Sequence, residues 1–194
     1  MLADALHYLL NVAFGIFVYA LLLRFYMQLF RAPFRNPLGQ MVAALTDWLV
    51  KPVRRFLPGW GGVDWSTLLL AWLLQFAWHL AVFALRGTPA RLGEFALTLF
   101  FLSGLSLLKA SLYLLMGTVF VQVILSWVSP YNPLQSILNA LTAPFLKPIR
   151  RVLPLLGGQI DLSPLVLFVV CNLILMLPVA WLEQALVQRA LVPL

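Results

Sequence analysis

The sequence contains few charged residues, fewer acidic than basic ones, and a single cysteine. Charged residues make up 10% of the 194 residues, with 6 acidic against 13 basic side chains. So little polar surface cannot cover a water-soluble globule of this size, which excludes an ordinary soluble domain. Cys171 alone permits no intramolecular disulfide. The sequence has no metal-ligand cluster, no nucleophile beside a base and no phosphate-binding loop, so it predicts neither an enzyme nor a resident metal or cofactor.

Hydrophobic residues, in contrast, make up 63% of the chain, and the mean hydropathy is +0.97. Four apolar stretches cover approximately residues 6–29, 66–85, 102–128 and 163–182. Each is long enough to cross a hydrocarbon core of roughly 30 Å as a helix, which requires about 20 residues. The sequence therefore predicts an all-α integral membrane protein with four transmembrane helices. Residues 94–101 form an extra apolar segment before the third span, either a helical extension or an interfacial piece.

The chain contains an internal duplication. The stretches NPLGQMVAALTDWLVKPVRRFLP (36–58) and NPLQSILNALTAPFLKPIRRVLP (132–154) are identical at 12 of 23 positions, at an offset of 96. We place the first repeat at residues 1–93 and the second at 94–194, with spans three and one in register at this offset. Because each copy contains two spans, the copies have the same orientation in the membrane. Each repeat is predicted as helix, amphipathic loop, helix.

The repeated stretch predicts a short amphipathic helix. Asn36-Pro37 and Asn132-Pro133 are typical helix starts, with an N-cap side chain followed by proline. Apolar residues then recur with helical spacing, and the prolines of the KPxRR motif are expected to end the helix. We expect this helix, too short to span, to lie on the membrane face with three basic residues following it in each copy. These candidate lipid- or partner-binding residues are Lys51, Arg54, Arg55, Lys147, Arg150 and Arg151.

Asp64 and Asp161 each precede an apolar span in an Asp-x-Ser pattern. This pattern indicates a helix N-cap, repeated in the second copy by Ser163-Pro164. A functional pairing of the two aspartates with the neighbouring arginines is the alternative.

The distribution of basic residues predicts the orientation. The two repeated loops contain 8 Lys and Arg residues and the opposite side contains 3. The positive-inside rule therefore places both loops in the cytoplasm and both termini outside. Anionic phospholipid is the predicted partner; unidentified membrane or cytoplasmic proteins, and further copies of the chain in a homo-oligomer, are further candidates. Nucleic acid is disfavoured, because the aromatic residues lie within apolar runs and do not alternate with basic ones.

The polar residues inside the spans suggest packing more than chemistry. Gln75 and Asn172 lie near the membrane midplane, where they could join helices by hydrogen bonds or mark a polar path. His79 is on the same helix face as Gln75 and in the same half of the membrane as His7. Paired ligation of a haem by the two histidines therefore stays an open alternative. Arg24 and Lys109 are expected to extend to the membrane interface. Every acidic residue, including Glu183, is placed at or beyond a span end, which argues against a carboxylate-driven pump.

The duplicated NPL and KPxRRxLP motifs, with DLSP at residues 161–164, resemble the YggT family, also called YlmG. The first copy departs from the family pattern, with Trp48 in place of Pro144 and DWST in place of DLSP. The resemblance implies a small protein of the bacterial inner membrane without established enzymatic activity. It also implies links to osmotic tolerance and ion homeostasis, cell division and envelope organisation, and, in plastids, cytochrome complex maturation and nucleoid distribution. We therefore expect a membrane scaffold or assembly protein, and an oligomeric pore or transport subunit as the alternative.

Overall fold

A computed structural model describes residues 2–86, 92–129, 132–152 and 161–191, and every regular element in them is helical. The helices in chain order are α1 (Leu2–Leu29), α2 (Pro37–Phe56), α3 (Trp65–Arg86), α4 (Leu92–Val128), α5 (Leu134–Val152), α6 (Ser163–Ile174) and α7 (Ala180–Leu191). A π-helical turn at Leu175–Val179 joins α6 to α7 into one long helix. The all-α prediction is confirmed.

Within these described ranges, four helices are long and apolar enough to cross a membrane: Ala5–Leu29, Trp65–Ala84, Ala96–Val128 and Ser163–Gln188. They correspond to the four predicted spans, although the third and fourth are longer than predicted. Residues 94–101 continue α4 without a break, so they are a helical extension of the third span. Leu99 in this extension is fully buried and packs with Phe83 of α3 and Val187 of α7.

The prediction that proline ends the repeated helices is wrong. Helix α2 continues through Pro52 and α5 continues through Pro144 and Pro148. A proline removes one intrahelical hydrogen bond and can bend a helix, but residues on both sides retain theirs, so the helix can continue. The basic residues of the KPxRR motif consequently lie within the last turns of α2 and α5, on an ordered helical surface. At 20 and 19 residues these helices are long enough to span, and their polarity, not their length, sets them apart from the four apolar helices.

The helix starts agree with the sequence at the first copy more closely than at the second. Asn36 caps α2 by accepting a hydrogen bond from the Gly39 N–H at 2.7 Å, with Pro37 as the first helical residue. In the second copy the Asn132 carboxamide accepts from the Leu134 N–H at 2.9 Å, and α5 begins at Leu134, after Pro133.

The core lies between the repeats as well as within them. Leu21 and Leu22 of α1 are completely buried, in a cluster that includes residues of α2, α3 and α4. A second cluster joins Met27 at the end of α1 to Ile137 and Leu141 of α5. The contact places α5 beside the end of α1, so α2 and α5, which follow spans one and three, lie at the same end of the bundle.

The contacts of the first and third spans with the repeated helices show that these two spans do not align at the predicted offset of 96. Arg24 of α1 contacts Thr46 of α2, while Gln122 of α4 contacts Thr142 of α5. The two threonines are equivalent at an offset of 96 residues. The residues that contact them, Arg24 and Gln122, are 98 positions apart in the sequence (122 minus 24). The chain between span and repeated helix is therefore two residues shorter in the second copy.

Candidate functional site

An arginine of each repeated helix is bound to the aspartate that precedes the next span. In the first copy, Arg54 forms an ion pair with Asp64, whose side chain is completely buried. The Asp64 carboxylate also accepts hydrogen bonds from the hydroxyls of Ser66 and Thr67, at 2.5 and 2.7 Å, and from the Thr67 N–H at 3.4 Å. Gln28 of α1 accepts a further bond from Arg54 at 3.1 Å. We call this arrangement the first clamp (Arg54 and Asp64), since it ties α2 to the start of α3.

The second clamp (Arg150 and Asp161) consists of the equivalent arginine and aspartate but is more exposed to solvent. Arg150 contacts one carboxylate oxygen of Asp161 with Nε at 2.9 Å and with an Nη at 2.8 Å. The other oxygen accepts the Ser163 N–H at 2.9 Å, which caps α6. Asp161 is 30% exposed at its side chain. Ser163 is therefore the first helical residue and not the cap: the N-cap position is occupied by Leu162, whose side chain forms no capping bond, and the Asp161 carboxylate accepts the Ser163 N–H instead.

Both clamps hold a charged carboxylate. Burial alone would raise the pKa of Asp64, but the hydrogen bonds from Ser66, Thr67 and Arg54 outweigh burial and lower its pKa below the ordinary value. Burial also acts to raise the pKa of Asp161, and the bonds from Ser163 and the charge of Arg150 reverse that effect. Asp64 and Asp161 thus each accept hydrogen bonds at the start of a helix and also pair with an arginine, so both predicted interpretations apply to them.

The second arginine of each KPxRR motif is free of such contacts. Arg55 and Arg151 are exposed, as is Lys147, and none of the three has an ion pair with any carboxylate in the described part of the chain. Lys51, the counterpart of Lys147, instead binds Asp47 at 2.7 Å on its own helix. The six predicted basic residues therefore divide into two clamp arginines, one paired lysine and three unpaired cations.

Large apolar side chains are exposed at the same end of the bundle. Phe56, next to Arg55, is 88% exposed, and Trp127, at the end of α4, is 84% exposed. Trp60, in the turn between the first clamp residues, is exposed to a similar degree. Exposed aromatic residues beside cations are typical of the headgroup level of a bilayer, where an amphipathic ring and a positive charge are both favourable.

Two duplicated threonines form polar contacts that the sequence analysis did not single out. Thr46 accepts a hydrogen bond from Arg24 at 2.7 Å, and Arg24 also binds Asp47 at 2.6 Å. Thr142 donates to Gln122 at 2.6 Å. Arg24 is therefore buried in a protein network, and the prediction that it extends to the interface is wrong. The presence of a threonine among the identities of the two copies was the available signal.

Lys109 and Glu183 also differ from prediction. Glu183 lies within the fourth span, not at or beyond its end, because α7 extends the helix past residue 182. Its carboxylate binds Lys109 of α4 at 2.7 Å across 74 residues of sequence. Both side chains are partly buried, so Lys109 is held by a protein carboxylate and is not an isolated cation at the interface.

The predicted intramembrane polar residues belong to different sites. Gln75 and His79 line a cavity of about 770 Å³ between α1, α2, α3, α4 and α7, together with Lys109 and Glu183. His79 shares a hydrogen bond of 2.8 Å with Ser106. Asn172 lines a separate groove and donates to the Phe168 carbonyl of its own helix, with a longer contact to the sulfur of Met116 on α4. Gln75 and Asn172 are therefore not brought together as an interhelical pair.

The small residues Ser103, Ala110 and Gly117 of α4 allow close helix packing along only part of this helix. Ser103 is buried and bonds the Leu99 carbonyl, and Ala110 is buried between α1 and α3. No atom would lie within 4 Å of a Cβ added at Gly117, so close helix contact ends before this residue.

Comparison with known proteins matches the chain to one family. The model of the CCB3/YggT family matches residues 3–85 and 101–182, which include both clamps and both repeated helices. The chain belongs to the CCB3/YggT family. No solved structure matches the chain.

Several bacterial relatives share most of the chain. A protein of Pseudomonas aeruginosa is 38% identical over 172 residues, covering 88% of this chain and 86% of that protein. A Vibrio alginolyticus protein is 34% identical, covering 86% of this chain and 89% of its own. The YggT protein of Escherichia coli K12 is 34% identical, with 84% of both chains covered. These relatives are described as uncharacterised, so they supply the family and no activity.

Proposed function

We propose that the protein is an inner-membrane scaffold of the CCB3/YggT family that binds anionic phospholipid through the ends of α2 and α5. The observation that carries this proposal is that the two arginines of each KPxRR motif have different contacts. The first arginine is bound by an aspartate, while the second, Arg55 or Arg151, is exposed and has no carboxylate partner among the residues that the structure describes. A cation near a bilayer of anionic lipid contributes about 1 kcal/mol, whereas a protein-bound arginine is already compensated.

The clamps give these cations a fixed direction. Each ties the end of an amphipathic helix to the start of a span, so the exposed arginine cannot swing freely away from the bilayer. Since α2 and α5 lie at the same end of the bundle, the duplicated fold presents two basic surfaces to one leaflet. Rigid presentation of this kind suits a platform for partner proteins, and by family resemblance we connect it to osmotic tolerance, cell division or envelope organisation.

The proposal is tested by counting anionic lipids retained by the purified protein. The chain is reconstituted in nanodiscs containing equal amounts of phosphatidylglycerol and phosphatidylcholine, extracted in mild detergent and analysed by native mass spectrometry. The Arg55→Gln/Arg151→Gln variant should retain several-fold less phosphatidylglycerol than the wild type.

The matched control is Arg31→Gln/Arg35→Gln, which removes the same charge from exposed arginines outside the KPxRR motifs. Equal lipid loss in the two variants would reduce the effect to net charge and contradict the proposal. Partner binding is examined in the same preparations, by quantifying envelope proteins that co-purify with the wild type and not with the Arg55/Arg151 variant.

A transport role is the second candidate, favoured by the cavity between α1, α2, α3, α4 and α7. Its polar residues, among them Gln75 and His79, lie within apolar spans, where polar groups commonly mark a solute path. Liposomes containing the protein would be assayed for ion and osmolyte flux, with Gln75→Leu as the test variant. No flux above that of protein-free liposomes would reject this role while leaving the scaffold proposal intact.

A further inference from the structure

The second clamp opens into a polar cavity of about 430 Å³ between α4, α5 and the start of α6. Its polar lining consists chiefly of the carboxamides of Gln122, Gln135 and Asn139, the Arg150–Asp161 pair and the indole of Trp127. The Gln135 Oε1 atom is buried and has no hydrogen-bond partner among residues 2–86, 92–129, 132–152 and 161–191. A buried acceptor without a donor is costly, so this atom points to a missing hydrogen-bonding group.

In the first half of the chain, the equivalent space is occupied by the protein itself. Arg24 stands in the place of Gln122 and fills it with its contacts to Thr46 and Asp47. Gln28, in the place of Ser126, bonds the clamp arginine. Gly39 stands where the second half has Gln135, and a Cβ at Gly39 would come within 2.5 Å of the Phe34 carbonyl oxygen.

The second copy differs at each of these points. Ser126 is too short to repeat the Gln28 contact and bonds the Val123 carbonyl of its own helix instead. Asn139 replaces Ala43, adding a carboxamide that accepts from Gln122 at 2.6 Å and retains its own N–H donors. The duplication thus contains one filled copy and one open, amide-lined copy of the same site.

The chemistry of the open site selects a neutral, hydroxylated group. The charge of Arg150 is compensated by Asp161, so the cavity itself has no excess charge for an anion. Carboxamides offer both donors and acceptors, and Gln135 Oε1 requires a donor. A hydroxyl group donates and accepts at once, and two adjacent hydroxyls could bond Gln135 and Asn139 together.

A negative charge is recognised beside the cavity. Lys147 precedes Arg150 by three residues, so the two side chains are neighbours on the surface of α5. Lys147 is exposed and unpaired within the described residues, unlike its counterpart Lys51. We propose that this site binds the glycerol headgroup of phosphatidylglycerol, with the diol in the amide-lined cavity and the phosphate near Lys147. The inference rests on the proposed lipid binding and adds a headgroup preference located in the second repeat.

The test compares two lipids of equal charge and identical acyl chains, phosphatidylglycerol and phosphatidylethanol, of which only the first has a diol. Full-length protein in detergent is titrated with an equal mixture of both, and bound lipids are counted by native mass spectrometry. The wild type should prefer phosphatidylglycerol by about fivefold, the effect of roughly one net hydrogen bond. Binding of both lipids is compared with that of phosphatidylcholine in a parallel titration.

Two variants assign the preference to the cavity. Asn139→Ala introduces the residue of the first copy, and Gln135→Ala removes the unpaired acceptor; each should bring the ratio of the two lipids close to one. The control Gln40→Ala removes an exposed carboxamide from α2 and should leave the ratio unchanged. Circular dichroism and size-exclusion profiles identify any variant that fails to fold, and Asn139→Asp, which keeps the shape of the side chain, serves as the substitute for such a variant.

The outcomes separate this inference from the broader proposal. Equal binding of the two anionic lipids by the wild type, both above phosphatidylcholine, would overturn the headgroup preference and leave anionic-lipid binding in place. Binding of both at the level of phosphatidylcholine would overturn the proposed function as well. A preference that survives both cavity substitutions would overturn the location.

Discussion

Replacing the aspartates of the two clamps by alanine should destabilise the protein unequally. Asp64 is completely buried at its side chain and accepts two hydroxyl hydrogen bonds in addition to its ion pair with Arg54. Hydrogen bonds to a charged group and a half-buried ion pair together lead us to expect that Asp64→Ala costs about 3 kcal/mol of unfolding free energy. Asp161 is partly exposed and supplies one helix cap and one partly solvated ion pair, for which about 1 kcal/mol is expected.

The free energies would be measured by reversible unfolding in mixed micelles of mild detergent and SDS, followed by far-ultraviolet circular dichroism. The two variants remove the same chemical group from equivalent positions, so each serves as the control of the other. Equal losses, or a larger loss for Asp161→Ala, would refute the reasoning that burial and the number of donors set the strength of the clamps.

The same clamps predict the pH dependence of stability. The pKa of both carboxyl groups is lowered in the folded protein from the ordinary value of 3.8. A group with a depressed folded pKa stabilises the fold fully above its unfolded pKa and loses that contribution as pH falls through the folded value. Stability should therefore decline below about pH 4, and the decline should be shallower for Asp64→Ala than for the wild type.

Three further sets of substitutions test other contacts, each by thermal unfolding in one detergent. Lys109→Met or Glu183→Gln alone should cost about 2 kcal/mol of unfolding free energy, because each leaves a partly buried charge unpaired. The double variant should cost less than the sum of the two. Additive losses would mean that the pair is not coupled. Arg24→Gln, which introduces the residue that the second copy uses, should be tolerated better than Arg24→Met. Gly39→Ala should destabilise the protein, because its Cβ would clash with a backbone carbonyl. Gly117→Ala, where space is open, should stabilise the protein by about 0.5–1 kcal/mol. The reverse order of stabilities would contradict the packing described for α2.

The elements that the sequence predicted well depend on local composition. The four spans follow from the lengths of the apolar runs, and the helix start at Asn36 follows from the capping chemistry of asparagine followed by proline. The duplication located the repeated helices and their basic residues. All of these are properties of continuous segments, so no long-range contact was needed to infer them.

The misjudged features depend on tertiary contacts or on helix continuation. Periodicity could not reveal that α2 continues through Pro52, because a proline lowers helix propensity without excluding a helix that is held by packing. Arg24 and Lys109 were assigned to the interface from their sequence positions alone. Their partners, Asp47 and Glu183, lie 23 and 74 residues away, and only the fold brings these carboxylates within contact.

The candidate site was predicted in part. Sequence analysis named all six basic residues of the KPxRR motifs and both aspartates, but it could not determine which arginine each aspartate binds. The open cavity of the second copy was missed because Gln135 and Asn139 are ordinary polar residues of a helix. The signal was their replacement by Gly39 and Ala43 in the other copy, which becomes informative only when the two copies are superposed in space.

Binding of anionic lipid through α2 and α5 requires both basic helices to face the inner, anionic leaflet. In a Cys171→Ala background, single Arg55→Cys and Arg151→Cys variants would be labelled with a membrane-impermeant maleimide, in right-side-out and in inside-out vesicles. Both positions should react only in inside-out vesicles. Labelling of either position in right-side-out vesicles, or of the two positions from opposite sides, would contradict this orientation.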